Sequence, residues 1–176
     1  MDVLATHRFQ VDTGGTTTWD ALTGAAGTVL VTLDPECPFC QGYAPVIDSL
    51  ARASSSHGIR FTGVYCSAYI RPDSAMRFAE EAGFDFPQVM DPDCRIANAL
   101  HARVTPECFL LDAQGSLIYH GAIDDWAVRA GRHRAAPTQH YLADALEALV
   151  AKRSPGIPHA QARGCIVECA DPQVHE

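Results

Sequence analysis

Two cysteines spaced by two residues stand where a buried strand hands over to a helix, and this junction restricts the fold more than any other stretch of the chain. Thr28 to Leu33 reads TVLVTL, and every residue except the leucines is β-branched. A mostly apolar run of this length predicts a strand covered on both faces. Asp34-Pro35 ends it, and Cys37-Pro38-Phe39-Cys40 follows. From there to about Ala53, Tyr43, Val46, Ile47 and Leu50 recur at helical spacing. Ser54 to Gly58 ends that helix, and Ile59 to Tyr65 (IRFTGVY) predicts a second buried strand. Strand, helix, strand in this order is a βαβ unit, with parallel strands and a right-handed crossover.

The rest of the chain extends this unit. Arg71-Pro72-Asp73 opens a second helix with residues suited to a first turn, Ala75 to Ala82 continue it, and Gly83 caps it. Phe86 to Met90 is a short apolar stretch, and Asp91 to Arg103 predicts a short helix carrying Ile96, Ala99 and Leu100. Cys108 to Leu111 (CFLL), the turn Asp112 to Gly115 (DAQG) and Ser116 to His120 predict an antiparallel hairpin. Gly121 to Ala136 reads as a loop or a broken helix. Pro137-Thr138 then leads into a helix to about Lys152, with Tyr141, Leu142, Ala145, Leu146 and Leu149 along one face. At the other end, Thr13 to Thr18 reads as a turn, and Trp19 to Leu22 as a short helix or part of a leading strand. The last eighteen residues show no clear element. This order predicts an α/β fold: a central, mostly parallel sheet with helices on both faces. Residues 1–152 form the domain with an N-terminal extension, and 153–176 a C-terminal tail carrying Cys165 and Cys169.

The bulk properties narrow the function. A chain of 176 residues supports one sizeable core. The formal net charge is -8, and the single basic run, Arg129, Arg132, His133 and Arg134, reads as a solvated face. Nucleic acid is therefore not an expected partner, nor is an anionic membrane surface. No apolar run approaches the roughly 18 residues of a spanning helix, so no membrane insertion is expected. Met1 to Gln10 has neither the basic start nor the apolar core of a signal peptide. The expected compartment is cytoplasmic for a chain complete as it stands, and periplasmic or extracytoplasmic for one whose leader has been removed. The sequence does not fix an oligomeric state.

The chain has seven cysteines, an odd number that leaves at least one thiol without an intramolecular partner. Cys66, Cys94 and Cys108 sit alone near apolar runs and read as buried small hydrophobes. Cys37 and Cys40 read differently. A helix N-terminus stabilises a thiolate, and one helical turn brings two such sulfurs within bonding range. Cys37 is expected to be the exposed nucleophile, with Cys40 more buried and resolving the mixed disulfide. Pro38 fits the first helical position. Asp34 and Glu36 add negative charge, which is expected to raise the thiolate's pKa. The lead reading is thiol–disulfide exchange with no cofactor. The alternative is a non-enzymatic copper or zinc binding and delivery protein using Cys37, Cys40 and Cys165. A third reading is an inert structural disulfide. Two readings stand for the tail: Cys165 folds back onto Cys37 as a redox relay or metal ligand, or it closes a local disulfide with Cys169.

The stretch LDPECPFCQGYAPVIDSLA resembles the active-site segment of the thioredoxin superfamily. Pro45 matches the proline that bends that family's first long helix, and Thr105-Pro106 matches its cis-proline turn. The hairpin CFLLDAQGSLIYHG is also family-like, and the material between Cys66 and Arg103 resembles the helical insertion of the TlpA/ResA and peroxiredoxin branches. The chain as a whole resembles bacterial redoxin-domain proteins related to the alkyl hydroperoxide reductase/TSA superfamily. That likeness rests on Thr105-Pro106-Glu107, the stretch YHGAIDD from Tyr119 to Asp125, the helix ending near Lys152 and the step Gly164-Cys165. The resemblance implies a thioredoxin-like fold ending in an antiparallel hairpin. It implies a thiol-disulfide oxidoreductase whose Cys37–Cys40 disulfide exchanges with a protein or small-molecule thiol or disulfide partner. Its site residues would be Cys37, Cys40, Thr105 and Pro106, with Thr105 lending backbone groups to a bound thiol or peptide.

The chain also departs from these families. Val31 stands where thioredoxin keeps a buried carboxylate. The peroxidatic signature places Pro seven residues and Thr three residues before its cysteine. Before Cys37 those positions hold Leu30 and Asp34, and before Cys40 they hold Leu33 and Cys37. Peroxidase activity is therefore not implied. Sco-type copper chaperones space their cysteines by three residues, not two. Among the remaining candidates, His120 and His140 read as surface or boundary residues. Asp124 and Asp125 read as caps before Trp126, Trp126 and Tyr119 as a groove wall or satellite core, and Glu107 as a local charge.

Overall fold

The computed structural model describes residues 8–11 and 15–169. In chain order it contains β1 (Arg8–Val11), β2 (Thr16–Thr18), α1 (Trp19–Leu22), β3 (Gly27–Leu33), α2 (Pro38–Ser55), β4 (Ile59–Tyr65), α3 (Pro72–Ala82), β5 (Gln88–Met90) and α4 (Arg95–Leu100). There follow β6 (Val104–Thr105), β7 (Cys108–Asp112), β8 (Leu117–Gly121), β9 (Ala127–Arg129), β10 (Arg132–His133), α5 (Tyr141–Val150), β11 (His159–Ala160) and β12 (Cys165–Ile166).

Every residue of β3 is buried, as its apolar run requires. Successive side chains of a strand point to opposite faces. Val29, Val31 and Leu33 therefore join a core with Ile47, Phe61, Tyr65, Phe78 and Leu142, while Leu30 joins a second core with Leu22, Val64, Ile96 and Phe109. Helices α2, α3 and α5 contribute to the first core, α1 and α4 to the second. Burying a side chain such as Ile47 contributes about 1.5–3 kcal/mol.

The main sheet runs β11-β8-β7-β3-β4-β5-β1-β2. β3, β4 and β5 are parallel, with Gly27 opposite Ile59 and Leu33 opposite Tyr65. On one side β7 and β8 add antiparallel, and on the other β1 and β2 do the same. The sheet is thus mixed, with a parallel centre, and the fold is thioredoxin-like. α3 ends at Gly83, whose φ of 74° is left-handed and whose N–H reaches the carbonyls of Ala79 and Glu80. α4 is capped by Asp91, whose carboxylate accepts the N–H groups of Arg95, Ile96 and Ala97. Among the described residues no helix is long and apolar enough to cross a membrane.

Several short elements differ from expectation. Thr16–Thr18 is a strand, not part of a turn, while Thr13 and Gly14 lie outside the described residues. The stretch 121–136 holds the small hairpin of β9 and β10. α5 begins at Tyr141 because the Asp125 carboxylate takes the N–H groups of Thr138 and Gln139 and holds them as a loop. The stretch 159–166 also holds strands: β11 lies parallel to β8, and β12 antiparallel to β6. Two-residue strands carry no periodicity, so no sequence pattern marks them.

Gly121 makes the β11 contact possible. Its φ is 122°, and a Cβ there would overlap the Ala160 carbonyl. Gly121→Ala is expected to lower stability by more than about 1 kcal/mol. It should also raise amide exchange at Ala122, whose N–H donates to that carbonyl; thermal melts and hydrogen exchange measure both.

Candidate functional site

The buried β3 delivers the chain to the mouth of α2. Cys37 is the N-cap residue with extended backbone, and Pro38 is the first helical residue. The Cys37 N–H donates to Asp34 O, and the Glu36 N–H to the Asp34 carboxylate at 2.8 Å, which shapes the turn between strand and helix. Cys40 lies one turn into α2. Both thiols are free rather than joined, and both are buried, Cys37 to 1% and Cys40 to 0% exposure. Cys37 is therefore not the exposed nucleophile expected from sequence, because other parts of the chain cover it.

One cover is the loop after β6. The Thr105-Pro106 peptide bond is cis, and Thr105 O lies 3.2 Å from Cys37 Sγ. Thr32, inside β3, fixes this loop. Its hydroxyl donates to Val104 O at 2.7 Å and accepts the Glu107 N–H at 2.9 Å, while its own N–H donates to Glu107 O. The Glu107 carboxylate accepts the Arg103 N–H at 2.9 Å, so it closes the loop from the other side. Thr105 Oγ1 is buried, with no hydrogen-bond partner among the described residues. Thr32 was not singled out from sequence. A threonine inside an apolar strand reads as a β-former, and its partners lie more than seventy residues away.

The second cover is the C-terminal segment. β12 pairs Cys165 with Thr105 and Ile166 with Val104, and the Val167 N–H donates to Arg103 O. Cys165 Sγ lies 2.7 Å from Cys37 Sγ. Cys169 forms a disulfide with Cys94, with Cα atoms 5.7 Å apart. This corrects two expectations. Cys94 is not a lone buried thiol, and Cys169 does not pair with Cys165. Four residues of near-extended chain span up to about 13 Å, beyond the roughly 7 Å Cα limit for a disulfide. Cys165 faces the first core and Cys169 the second, so the segment crosses the end of the sheet between them.

The electrostatics favour a thiolate at Cys37. Its pKa falls from the usual 9.0 to about 4, because the Cys40 thiol hydrogen-bonds to it and Cys165 does the same, against the opposing effect of burial. Burial and the bond to Cys37 push Cys40 well up, and they push Cys165 up to about 12. The expected upward shift of Cys37 by Asp34 and Glu36 does not prevail. Hydrogen bonds at contact distance outweigh the carboxylates, and burial raises Asp34 itself. Cys66 and Cys108 are buried and pushed up by burial, in keeping with a packing role.

Around this centre, Trp126 packs edge-on against Tyr43 and lies over Gly42, where a Cβ would touch its ring at 2.6 Å. The Tyr43 hydroxyl donates to the Asp124 carboxylate at 2.8 Å, which also accepts the Trp126 N–H. Tyr119 is fully buried core, its hydroxyl bonded to Ala122 O. His120 stacks on His159 at 4.3 Å along the β8–β11 edge, and His140 precedes α5 as its N-cap; neither is placed at the cysteines. A groove of about 510 Å³ opens beside Cys165, lined by Asp34, Glu36, Tyr69, Thr105, Cys165 and Ile166 among others. Tyr69 and Ile166 are 76% and 79% exposed on it. The alternative metal set, Cys37, Cys40 and Cys165, does come together, but as a hydrogen-bonded thiol cluster. Two thiolates on a tetrahedral ion with bonds near 2.3 Å would sit about 3.8 Å apart, and Cys37 and Cys165 are closer than that. Among the described residues, no group of three or more His, Cys, Asp or Glu could hold a metal ion.

The AhpC/TSA family model matches residues 5–120. The chain belongs to the AhpC/TSA family. No curated protein matches it. Among solved structures, this AhpC/TSA protein is similar to a hypothetical protein of Sinorhizobium meliloti (20% identity, 95% of this chain and 92% of that one, TM-score 0.81). It is likewise similar to an uncharacterized conserved protein of Geobacillus kaustophilus (24%, 97% and 92%, TM-score 0.80). A third likeness is to a secreted disulfide oxidoreductase of Mycobacterium tuberculosis homologous to E. coli DsbE (20%, 86% and 99%, TM-score 0.61). These likenesses confirm the thioredoxin-like fold of the AhpC/TSA domain.

Two measurements check this geometry. The Cys37 pKa is depressed, so its thiolate should persist as pH falls from 9 toward about 4. Ultraviolet thiolate absorbance of the reduced protein, taken against Cys37→Ser, should show that contribution fading only in the acid range. A Cys37 signal that titrates near 9 would contradict it. Thr32→Val keeps the shape but orphans a buried N–H and carbonyl, at about 1–3 kcal/mol, and should lower the denaturation midpoint accordingly.

Proposed function

We propose that this protein is a thiol–disulfide oxidoreductase whose Cys37–Cys40 pair exchanges with a protein or small-molecule thiol or disulfide. The observation that carries this reading is the Cys37 sulfur itself. It belongs to the N-cap residue of α2, lies 2.7 Å from Cys165 Sγ and 3.2 Å from Thr105 O, and has its pKa lowered by the hydrogen bonds of Cys40 and Cys165. A stabilised thiolate is the attacking form in exchange.

Cys37 attacks one sulfur of the substrate disulfide, and the other leaves as a thiolate. Cys40, buried and protonated one turn away, loses its proton and attacks Cys37 Sγ. The substrate is released reduced, and the pair is left as a disulfide. Run in reverse, the same steps oxidise a dithiol, so the partner's potential sets the direction. Thr105 supplies the adjacent backbone, and Pro106 holds the turn that presents it. The exposed Tyr69 and Ile166 on the groove favour a polypeptide partner, since a small thiol needs no apolar rim. The likeness to the Mycobacterium tuberculosis disulfide oxidoreductase supports the same reading.

The test is insulin reduction with a dithiol donor. Wild type should accelerate turbidity, Cys37→Ser should abolish the acceleration, and the double variant Cys40→Ser/Cys165→Ser, which lacks both thiols beside Cys37, should accumulate a mixed disulfide at Cys37 visible by intact mass. Wild type no faster than the dithiol alone would sink this reading.

A further inference from the structure

The C-terminal segment lies where an extended partner would pair with the loop beside Cys37. β12 runs antiparallel to β6 with Cys165 opposite Thr105. Gly164 sits so close to Thr105 that a Cβ there would overlap the Thr105 carbonyl. The Val167 N–H is bonded to Arg103 O, and the Cys169–Cys94 disulfide fixes the segment further on. Between these anchors Cys165 Sγ is 2.7 Å from Cys37 Sγ, and both are free thiols. The segment thus makes backbone pairing on one side and sulfur contact on the other, which is what a bound cysteine peptide would have to make.

We propose that Gly164–Val167 is an internal substrate strand, and that Cys165 is a second exchange partner of Cys37, forming a Cys37–Cys165 disulfide at the expense of the Cys37–Cys40 disulfide. The proposal rests on the exchange reading of Cys37 and Cys40. The Cys165 thiol loses its proton and attacks Cys37 Sγ. The Cys37–Cys165 bond forms as the Cys37–Cys40 bond breaks, and the electron pair leaves on Cys40 Sγ, which takes up a proton. One disulfide and one thiol stand on each side, so no oxidant or reductant is consumed. Cys40 is wholly buried and is well placed to end as the neutral thiol.

The strand also states what an external partner must look like. It is an extended polypeptide that pairs antiparallel to Val104–Thr105 and presents its cysteine opposite Thr105. The residue before that cysteine must be glycine, because a side chain there would meet the Thr105 carbonyl as it would at Gly164. Such a partner enters only when β12 leaves, so the segment and the substrate compete for one edge. When β12 returns to a Cys37–substrate mixed disulfide, Cys165 attacks Cys37 Sγ and expels the substrate as a thiol.

The test uses the full chain in glutathione redox buffers, followed by acid quenching, non-reducing proteolysis and mass spectrometry. Wild type should show both 37–40 and 37–165 linkages, and Cys40→Ser should accumulate the 37–165 linkage over glutathione bound at Cys37. Cys40→Ser carrying only glutathione or a free thiol at Cys37, with no 37–165 peptide in wild type either, overturns the proposal. Gly164→Ala gives a second readout. It should lift the strand and make iodoacetamide alkylation of Cys37 in the reduced protein several-fold faster; an unchanged rate overturns the substrate-strand role. The two readings fail separately. A 37–165 linkage without insulin reduction sinks the oxidoreductase reading alone, and insulin reduction without that linkage sinks this one alone.

Discussion

The Thr32 hydroxyl joins two parts of the chain that the site needs in register. Thr32 belongs to the strand that ends at the cysteine turn, and its two hydrogen bonds hold the loop containing Thr105 and Pro106. The strand is rigid because both its faces are buried, so the loop inherits a fixed position relative to Cys37. A buried hydroxyl that satisfies one donor and one acceptor at once is stabilising. Removing it exposes the full desolvation penalty of both partners. Everything at the site is built outward from this brace: Thr105 against Cys37, Cys165 opposite Thr105, and the Cys169–Cys94 bond beyond.

Thiolate stability in this protein does not come from a buried carboxylate or from a basic neighbour. Val31 fills the position where thioredoxin keeps its acid, and the nearest charges, Asp34 and Glu36, are negative. The favourable contribution comes from thiols. Cys40 and Cys165 flank Cys37 and keep their protons, so the charge settles on the one sulfur that receives both hydrogen bonds. Short hydrogen bonds in a desolvated setting outweigh carboxylates that retain contact with water. The arrangement places a thiol on each side of Cys37, in different parts of the chain.

Much of the architecture was legible from residue patterns. The TVLVTL run, the helical spacing from Tyr43 to Leu50 and the IRFTGVY run located β3, α2 and β4 to within a few residues, because long periodic segments carry strong signals. The Pro72 and Gly83 boundaries of α3 were equally clear, since proline and glycine mark helix ends through their own backbone preferences. The short strands at 127–133, 159–160 and 165–166 were not legible. They exist only because a neighbouring strand edge is available to pair with, and two or three residues hold no period of their own.

By itself the sequence determined the βαβ unit, the placement of Cys37 and Cys40 at a helix mouth and the odd cysteine count, because each follows from local spacing and backbone preference. It left the fate of Cys165 and Cys169 open between a local disulfide and a return to the Cys37–Cys40 pair. Tertiary structure alone decided that question. Pairing with β6 and bonding to Cys94 stretch the tail across the end of the sheet, so its two cysteines face different cores. It also decided that Cys37 is covered rather than exposed, since burial depends on segments that the chain brings back from more than sixty residues away.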